Sequence, residues 1–302
     1  MITTLCIGSG GIRGLSMISA LKYLYEQNYI DFEKIKTYSC VSVGSIIGIL
    51  LLVGYSINDI YNIEYDFDLL SPNFSLDLLF EKYGFDNGDN IIEFFNKIIL
   101  KKINNINITF LDLYNLTKKE FLIVTTNYTQ NCEKIFNYKE TPNVPVMLAI
   151  RMSISIPIIY TPILYENNYY IDGAIINKVY IPKNSNPENT LAIYLDNYKP
   201  PTEMTLQNII VGLIFIMSDQ MLKCDTNNYN CLLIDSPNTI GCFDYSSMTK
   251  EKKNVLFSIG EMTAKKYLIK ELKKNINNKK TNIIKNVLND IIIKIENITY
   301  NK

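Results

Sequence analysis

Two short apolar runs open the sequence, each ending in a turn of small residues and each followed by a stretch with helical patterning. Ile2–Ile7 is a β-type run that ends in Gly8-Ser9-Gly10-Gly11. After it, Leu15, Ile18, Leu21, Leu24 and Tyr25 fall on one helical face of Leu15–Tyr25. Ile35–Val41 predicts a second strand, and Val43–Val53 is apolar on every side, as a buried helix is. Strand, helix, strand, helix in this order predicts an α/β sheet with helices on its faces.

Farther along, residues 56–108 show amphipathic helical spacing broken at Ser71-Pro72 and Asn87-Gly88, and read as a helical insertion over the sheet's edge. Phe121–Asn127 predicts a strand, Lys134–Tyr138 a weaker one, Val146–Ser153 a short helix, and Tyr169–Ile171 a strand ending at Asp172-Gly173. A polar loop, Lys183–Asn189, precedes a strand at Thr190–Leu195. Helical periodicity then dominates, and the last 30 residues, rich in Lys, Asn and Ile, read as a peripheral helix or a frayed tail. With no internal repeat and no linker, one domain with a helical C-terminal extension is expected.

Composition narrows the chemistry further. The 302 residues include no histidine, which removes Ser-His-Asp triads, Cys-His pairs and imidazole zinc sites. A nucleophile here needs a carboxylate, a Lys, a Tyr or a metal to activate it. Lys+Arg and Asp+Glu both number 30, so no net basic field draws a nucleic-acid backbone and no nucleic-acid partner is expected. Cys6, Cys40, Cys132, Cys224, Cys231 and Cys242 form no CxxC pair and read as reduced thiols, not a disulfide frame. The start, MITTLCIGSGG, lacks the basic region of a signal peptide, and the apolar runs Gly44–Gly54 and Ile209–Met217 fall far short of the ~20 residues of a spanning helix. A cytoplasmic location, peripheral at membranes at most, is expected.

Four segments carry candidate chemistry. Ser9-Gly10-Gly11-Ile12-Arg13-Gly14 lies between a strand and a helix, where glycines allow a sharp turn and leave N–H groups facing an anion. It suits a pyrophosphate, an oxyanion or merely a tight turn. It fits a dinucleotide fingerprint poorly, because counting from Gly8 puts Arg13 where the third glycine belongs. Cys40-Val41-Ser42-Val43-Gly44 has the placement of a nucleophile elbow, with Cys40 at the first glycine of G-x-S-x-G, and equally suits Ser42 as a helix N-cap. Tyr170-Ile171-Asp172-Gly173-Ala174 ends a strand in a carboxylate. Asp-Gly is a common turn, yet an elbow serine without histidine needs a base, and an Asp bonded to it would take its proton. Arg151-Met152-Ser153-Ile154-Ser155-Ile156-Pro157, followed by Tyr160-Thr161-Pro162, signals by itself only a rigid connection.

In this order and spacing the four segments resemble the patatin-like phospholipase family. The likeness runs from about Thr4 to Pro182, takes in Thr109–Leu113 and Asn177, and continues more weakly at Glu261-Met262-Thr263-Ala264. It implies a three-layer α/β/α hydrolase with a central, mostly parallel sheet. Residues 4–182 would form its catalytic region, and 183–302 would complete or flank the same domain. It implies cleavage of fatty acyl esters of phospholipids or other lipids, without calcium or any cofactor or metal. Carried over, Ser42 is the acylated nucleophile and Asp172 its base, the Gly10 and Gly11 amides form the oxyanion hole, and Arg13 and Gly14 support that loop. Gly44 completes the elbow, and Gly173 and Ala174 complete the DGA motif. Ser9 and Cys40 depart from family glycines without removing a catalytic group.

The partner expected is an acyl-lipid substrate with transient contact to a membrane surface. Ile209–Met217, read foremost as core, and the aromatic stretch Tyr61–Phe85 could also serve an acyl channel or a bilayer surface. Lys265, Lys266, Lys270, Lys273, Lys274, Lys279 and Lys280 could meet anionic lipid or form a solvated face. The competing readings are an inactive homologue that binds lipid or a protein partner, an acyltransferase using the same residues and, more distantly, a dinucleotide-binding oxidoreductase.

Overall fold

The computed structural model describes residues 1–63, 72–195, 228–235, 237, 240–241 and 248–278, together with positions 209, 212, 213 and 216. Strand β1 (Thr4–Ile7) leads through a glycine turn into helix α1 (Gly14–Glu26), and β2 (Thr37–Val41) leads directly into α2 (Val43–Leu52). The sheet is completed by β4 (Glu120–Asn127), β5 (Cys132–Phe136), β7 (Ile163–Tyr165), β8 (Asn168–Asp172), β9 (Thr190–Leu195) and β10 (Asn230–Ile234). Its order is β10-β9-β1-β2-β4-β8-β7, with β5 also paired to β4. The pairs from β10 to β4 are parallel, while β5, β8 and β7 join antiparallel.

Alternation along the central strands shows why they read as continuous apolar runs. Leu5 and Ile7 enter the large core shared with α1 and α2, while Cys6 between them joins a second cluster with Val179, Ile181, Ala192 and Tyr194. Both faces are therefore buried, which removes the polar face of a half-exposed strand.

Residues 56–108 hold α3 (Ile57–Ile63), α4 (Leu76–Lys82) and α5 (Asp89–Leu100), and also β3 (Gly84–Asp86), which the sequence reading missed. β3 pairs with β6 (Ile158–Tyr160) in a separate two-stranded sheet; β6 lies within what reads in sequence as a rigid connection, and β7 follows just beyond it. The insertion meets helices, α3 on α1 and α2 and α5 on α7 (Val146–Ser153). Apolar side chains drive this, because Ile57, Ile60, Ile91, Phe95, Ile98 and Ile99 all enter the main core. Helix α6 (Phe110–Thr117) precedes β4 and begins in a capping box between Thr109 and Asp112.

In the C-terminal third, β10 adds an edge strand within a stretch expected to be largely helical. Helix α8 (Lys250–Asn278) crosses α1 so closely that a Cβ on Gly260 would stand 2.0 Å from the Ser16 carbonyl oxygen. The Ser19 hydroxyl donates to the Phe257 carbonyl at 2.7 Å across the same crossing. Lys265 pairs with Glu261, while Lys279 and Lys280 lie outside the described residues, as do Cys224 and Cys242. Of Ile209–Met217 four positions are described: Gly212 is buried, while Ile209, Leu213 and Ile216, spaced along one helical face, are exposed. Among the described residues, Cys6, Cys40, Cys132 and Cys231 form no disulfide.

Candidate active site

The strand register brings two distant segments to one point. β2 pairs with residues 120–124 of β4, β8 pairs with residues 125–127, and β5 pairs with residues 123–127. A strand has two edges, and β5 overlaps both partners, so β5 takes one edge while β2 and β8 lie end to end along the other. Val41 faces Val124 and Asp172 faces Thr125. The residue after Val41 therefore meets the last residue of β8 at the carboxyl end of the parallel strands, where open α/β sheets bind their ligands.

That residue is Ser42. Its backbone sits at φ 54° and ψ −127°, a conformation costing roughly 1–3 kcal/mol for a residue with a side chain. It heads α2 without capping it, and its Oγ donates instead to Asp172 Oδ2 at 2.7 Å. The turn is held from several sides. The Ser42 N–H donates to the Ser153 hydroxyl at 2.9 Å, and that hydroxyl donates to the Val124 carbonyl at 2.7 Å. A Cβ on Gly44 would lie 2.3 Å from the Ile7 carbonyl oxygen, so only glycine lets α2 start this close to β1. Cys40, which stands in for the elbow's first glycine, is fully buried, and a Cβ on Gly48 would sit 2.7 Å from its Sγ. The extra side chain at 40 is thus housed by a missing one at 48. Burial alone pushes the Cys40 thiol well above its ordinary range.

Asp172 is 1% exposed, and desolvation raises its carboxyl from 3.8 to about 7, against the lowering effect of two hydrogen bonds. Those bonds come from the Ser42 hydroxyl to Oδ2 and from the Ala174 N–H to Oδ1, the latter at 2.8 Å. Its main chain is pinned as well, its N–H donating to the Ser155 carbonyl at 2.9 Å and its carbonyl accepting from the Thr126 hydroxyl at 2.9 Å. Gly173 is required where it stands, since a Cβ there would fall 2.3 Å from the Val124 carbonyl oxygen.

The glycine loop packs against this elbow. A Cβ on Gly14 would come within 3.0 Å of Val43, the residue after Ser42. The Ser9 N–H donates to the Lys178 carbonyl at 2.9 Å, and the Gly8 N–H to the Ile193 carbonyl. Gly11 has φ 55°, and a 3-10 turn, Gly11–Arg13, follows before α1. Among the described residues, the Gly10 and Gly11 amides donate to no protein acceptor. Arg13 is buried, and its carbonyl accepts from the Ser16 hydroxyl at 2.7 Å. Ser9 is buried, and its φ lies outside the left-handed region that favours glycine.

Ser153 and Ser155 are the site residues that the sequence reading missed. Both lie in the fourth segment, read there as a connection, and both act through bonds to residues far away in the chain. Of the aromatic stretch Tyr61–Phe85, residues 64–71 are outside the described residues, and Tyr83 lines a groove of about 510 Å³ with Tyr128, Pro157, Ile158, Tyr169 and Ile171. Among the described residues, no three His, Cys, Asp or Glu side chains gather to hold a metal, and no helix is long and apolar enough to cross a membrane.

The sequence model of the family described as Patatin-like phospholipase matches residues 5–182. Uncharacterized protein R571 of Acanthamoeba polyphaga mimivirus is 32% identical over 289 residues, 89% of this chain and 94% of that protein. Probable lipid hydrolase 463L of Invertebrate iridescent virus 6 is 35% identical over 182 residues, 58% of this chain and 60% of that protein. In fold the chain is similar to VipD from Legionella pneumophila, with a TM-score of 0.60 at 16% identity over 88% of this chain and 66% of that one. It is also similar to ExoU of Pseudomonas aeruginosa in the ExoU-SpcU complex, with a TM-score of 0.53 at 17% identity over 90% of this chain and 52% of that one. Because the family match takes in the glycine loop, the serine elbow and the Asp-Gly turn within a mostly parallel sheet flanked by helices, this chain belongs to the patatin-like phospholipase family.

Proposed function

We propose that this chain is a lipid acyl hydrolase that works through a Ser42–Asp172 dyad, needs no calcium, and takes phospholipids or related acyl lipids as substrate. The observation that carries the reading is the 2.7 Å bond from the strained Ser42 hydroxyl to a carboxylate with no histidine between them. Ser42 Oγ attacks the ester carbonyl as its proton passes to Asp172 Oδ2. The Gly10 and Gly11 amides, unspent on protein acceptors among the described residues, receive the charge on the carbonyl oxygen. In a dry site each such donor is worth on the order of 3 kcal/mol. Collapse expels the lyso-lipid alcohol, which takes up the proton from Asp172. Asp172 then draws a proton from water as it attacks the acyl-Ser42 ester; collapse breaks the Oγ–acyl bond, Asp172 returns that proton to Ser42 Oγ, and the fatty acid leaves.

Contact with a lipid surface fits the exposed apolar side chains of α4 and its flanks, Phe74, Leu76, Phe80 and Tyr83. Mixed-lipid vesicles, with a chelator present, test the reading through the fatty acids released. Turnover and phosphonate labelling at Ser42 are expected from the native chain, and neither from Ser42→Ala at unchanged melting temperature. Turnover retained by Ser42→Ala, or lost on chelation, would overturn it.

A further inference from the structure

The last turn of α7 holds both halves of the dyad. The Ser153 hydroxyl takes the Ser42 N–H, and two residues on, the Ser155 carbonyl takes the Asp172 N–H, each at 2.9 Å. The orientation of that turn therefore sets how Ser42 Oγ and Asp172 Oδ2 face each other. What holds the turn is Arg151, 6% exposed, whose Nη1 donates to the Ser155 hydroxyl while that hydroxyl donates back to the Arg151 carbonyl at 2.6 Å. Nη2 donates to the carbonyls of Asn87 at 2.7 Å and Thr161 at 3.1 Å, and Nε also reaches the Asn87 carbonyl. A Cβ on Gly88 would stand 2.4 Å from Nε, so the chain leaves the guanidinium its room.

Burying a guanidinium is costly, and the desolvation lowers Arg151 to about 10. An apolar side chain would fill the same space more cheaply if packing were its whole purpose. What arginine adds is several directional bonds that tie the β3–α5 junction and the segment after β6 to Ser155. We propose that Arg151 is a positioning residue for the Ser42–Asp172 pair, acting through Ser155. The proposal rests on reading that pair as catalytic. Arg151 touches no reacting atom. It keeps the Ser155 carbonyl over the Asp172 N–H, and so keeps the carboxylate in its closed pocket. The groups bonded to Asp172 are the Ser42 hydroxyl from the β2–α2 turn, the Thr126 hydroxyl from β4, the Ser155 carbonyl after α7 and its own Ala174 N–H, all uncharged.

The test compares the native chain with Arg151→Met, Arg151→Lys and Ser155→Ala, the last removing only the hydroxyl that Arg151 grips. Hydrolysis of a short p-nitrophenyl ester is followed against pH, and the Asp172 carboxyl is titrated by 13C NMR. Arg151→Met is expected to lower kcat about 10- to 100-fold with KM within about twofold. Its Asp172 midpoint should drop by about one pH unit or more as water enters the pocket. Arg151→Lys should fall between Met and native, and Ser155→Ala should move both readouts the same way by less. If Arg151→Met does not fold, Ser155→Ala carries the test. Folded variants with unchanged kcat and an unmoved Asp172 midpoint would overturn the proposal, as would a loss confined to KM. A native chain without esterase activity would sink the functional reading instead, while the NMR midpoint would still report whether Arg151 positions Asp172.

Discussion

The two strand-to-helix turns at the head of the sheet differ in what they expose. Between β1 and α1 the chain spends Gly10, Gly11 and a short 3-10 turn, and presents backbone amides with no side chain in the way. Between β2 and α2 there is one residue, Ser42, forced into a strained conformation that lifts its hydroxyl toward Asp172. The first turn achieves its shape by omitting side chains, the second by pinning one. The two are also interlocked, because Gly44 abuts the Ile7 carbonyl and Gly14 abuts Val43. Glycine thus means different things at the two turns. At 44 it permits close packing of backbone on backbone, whereas at 10 it leaves room for the Leu195 side chain.

Alanine at each position breaks this comparison most directly. A Cβ at Gly44 would meet the Ile7 carbonyl oxygen at 2.3 Å, and main chain in the sheet cannot yield. Gly44→Ala is expected to lose both folding stability, by several kcal/mol, and all hydrolysis, checked by thermal unfolding beside a phosphonate assay. At Gly10 the obstacle at 2.3 Å is Leu195 Cδ1, the end of a flexible side chain that can move aside. Gly10→Ala should therefore remain folded, yet lose about 10²-fold in kcat as the crowded amide shifts from the oxyanion. Adding Leu195→Ala should recover most of that rate. A Gly10→Ala chain with native kcat would take Gly10 out of the oxyanion hole.

The dyad itself separates activity from stability. Asp172→Asn removes the proposed base and should lower hydrolysis by at least about 10³-fold. Its effect on stability runs the other way. With its carboxyl raised from 3.8 to about 7, folded Asp172 keeps a proton that the unfolded chain releases, so stability is fully present below about pH 4 and falls as pH rises toward 7. Above that the buried charge costs roughly 4 kcal/mol at most. The neutral amide of the Asp172→Asn variant carries no such cost, so its melting temperature relative to the native chain should climb between pH 4 and 7 and then level off. In the native enzyme kcat/KM should rise with pH, reach half its plateau near 7 and level off above that, as the base loses its proton. A flat stability difference across that range would mean that Asp172 is ionised and well solvated when folded.

How much of this was legible in sequence follows from how local each signal is. Ser42, Asp172 and the glycine turns announce themselves because each sits at a strand end within a few residues of its own punctuation. The meeting of Ser42 with Asp172 depends instead on β2 and β8 lying end to end along β4, a register that no local pattern encodes. Ser153 and Ser155 were invisible for the same reason, since a serine at a helix end looks alike whether or not it holds an amide 111 residues away. β3 has three residues and owes its pairing to β6, so it offers too short a run for a period to show. β10 was hidden by its neighbours, and it becomes a strand because β9 presents a free parallel edge.

The smallest expected effect sharpens the contrast between the turns, because it concerns a side chain that the second turn tolerates. Cys40 occupies a family glycine position, and its Sγ fills the space that a side chain on Gly48 would otherwise claim. If the strain at Ser42 is set by Gly44, Ser153 and Asp172, then residue 40 governs packing alone. Cys40→Gly should then cost about 1–3 kcal/mol, from the cavity beside Gly48 and the freer unfolded chain, with kcat within about threefold of native. Gly48→Ala tests the same contact from the other side. Its Cβ would stand 2.7 Å from Cys40 Sγ and 3.0 Å from the Phe121 ring, so it should destabilise the native chain. Combined with Cys40→Gly, which frees the sulfur's space, it should cost less than the two single changes summed, a coupling readable in a double-mutant cycle. A large fall in kcat for Cys40→Gly, with the fold intact, would instead make residue 40 part of what aims the serine.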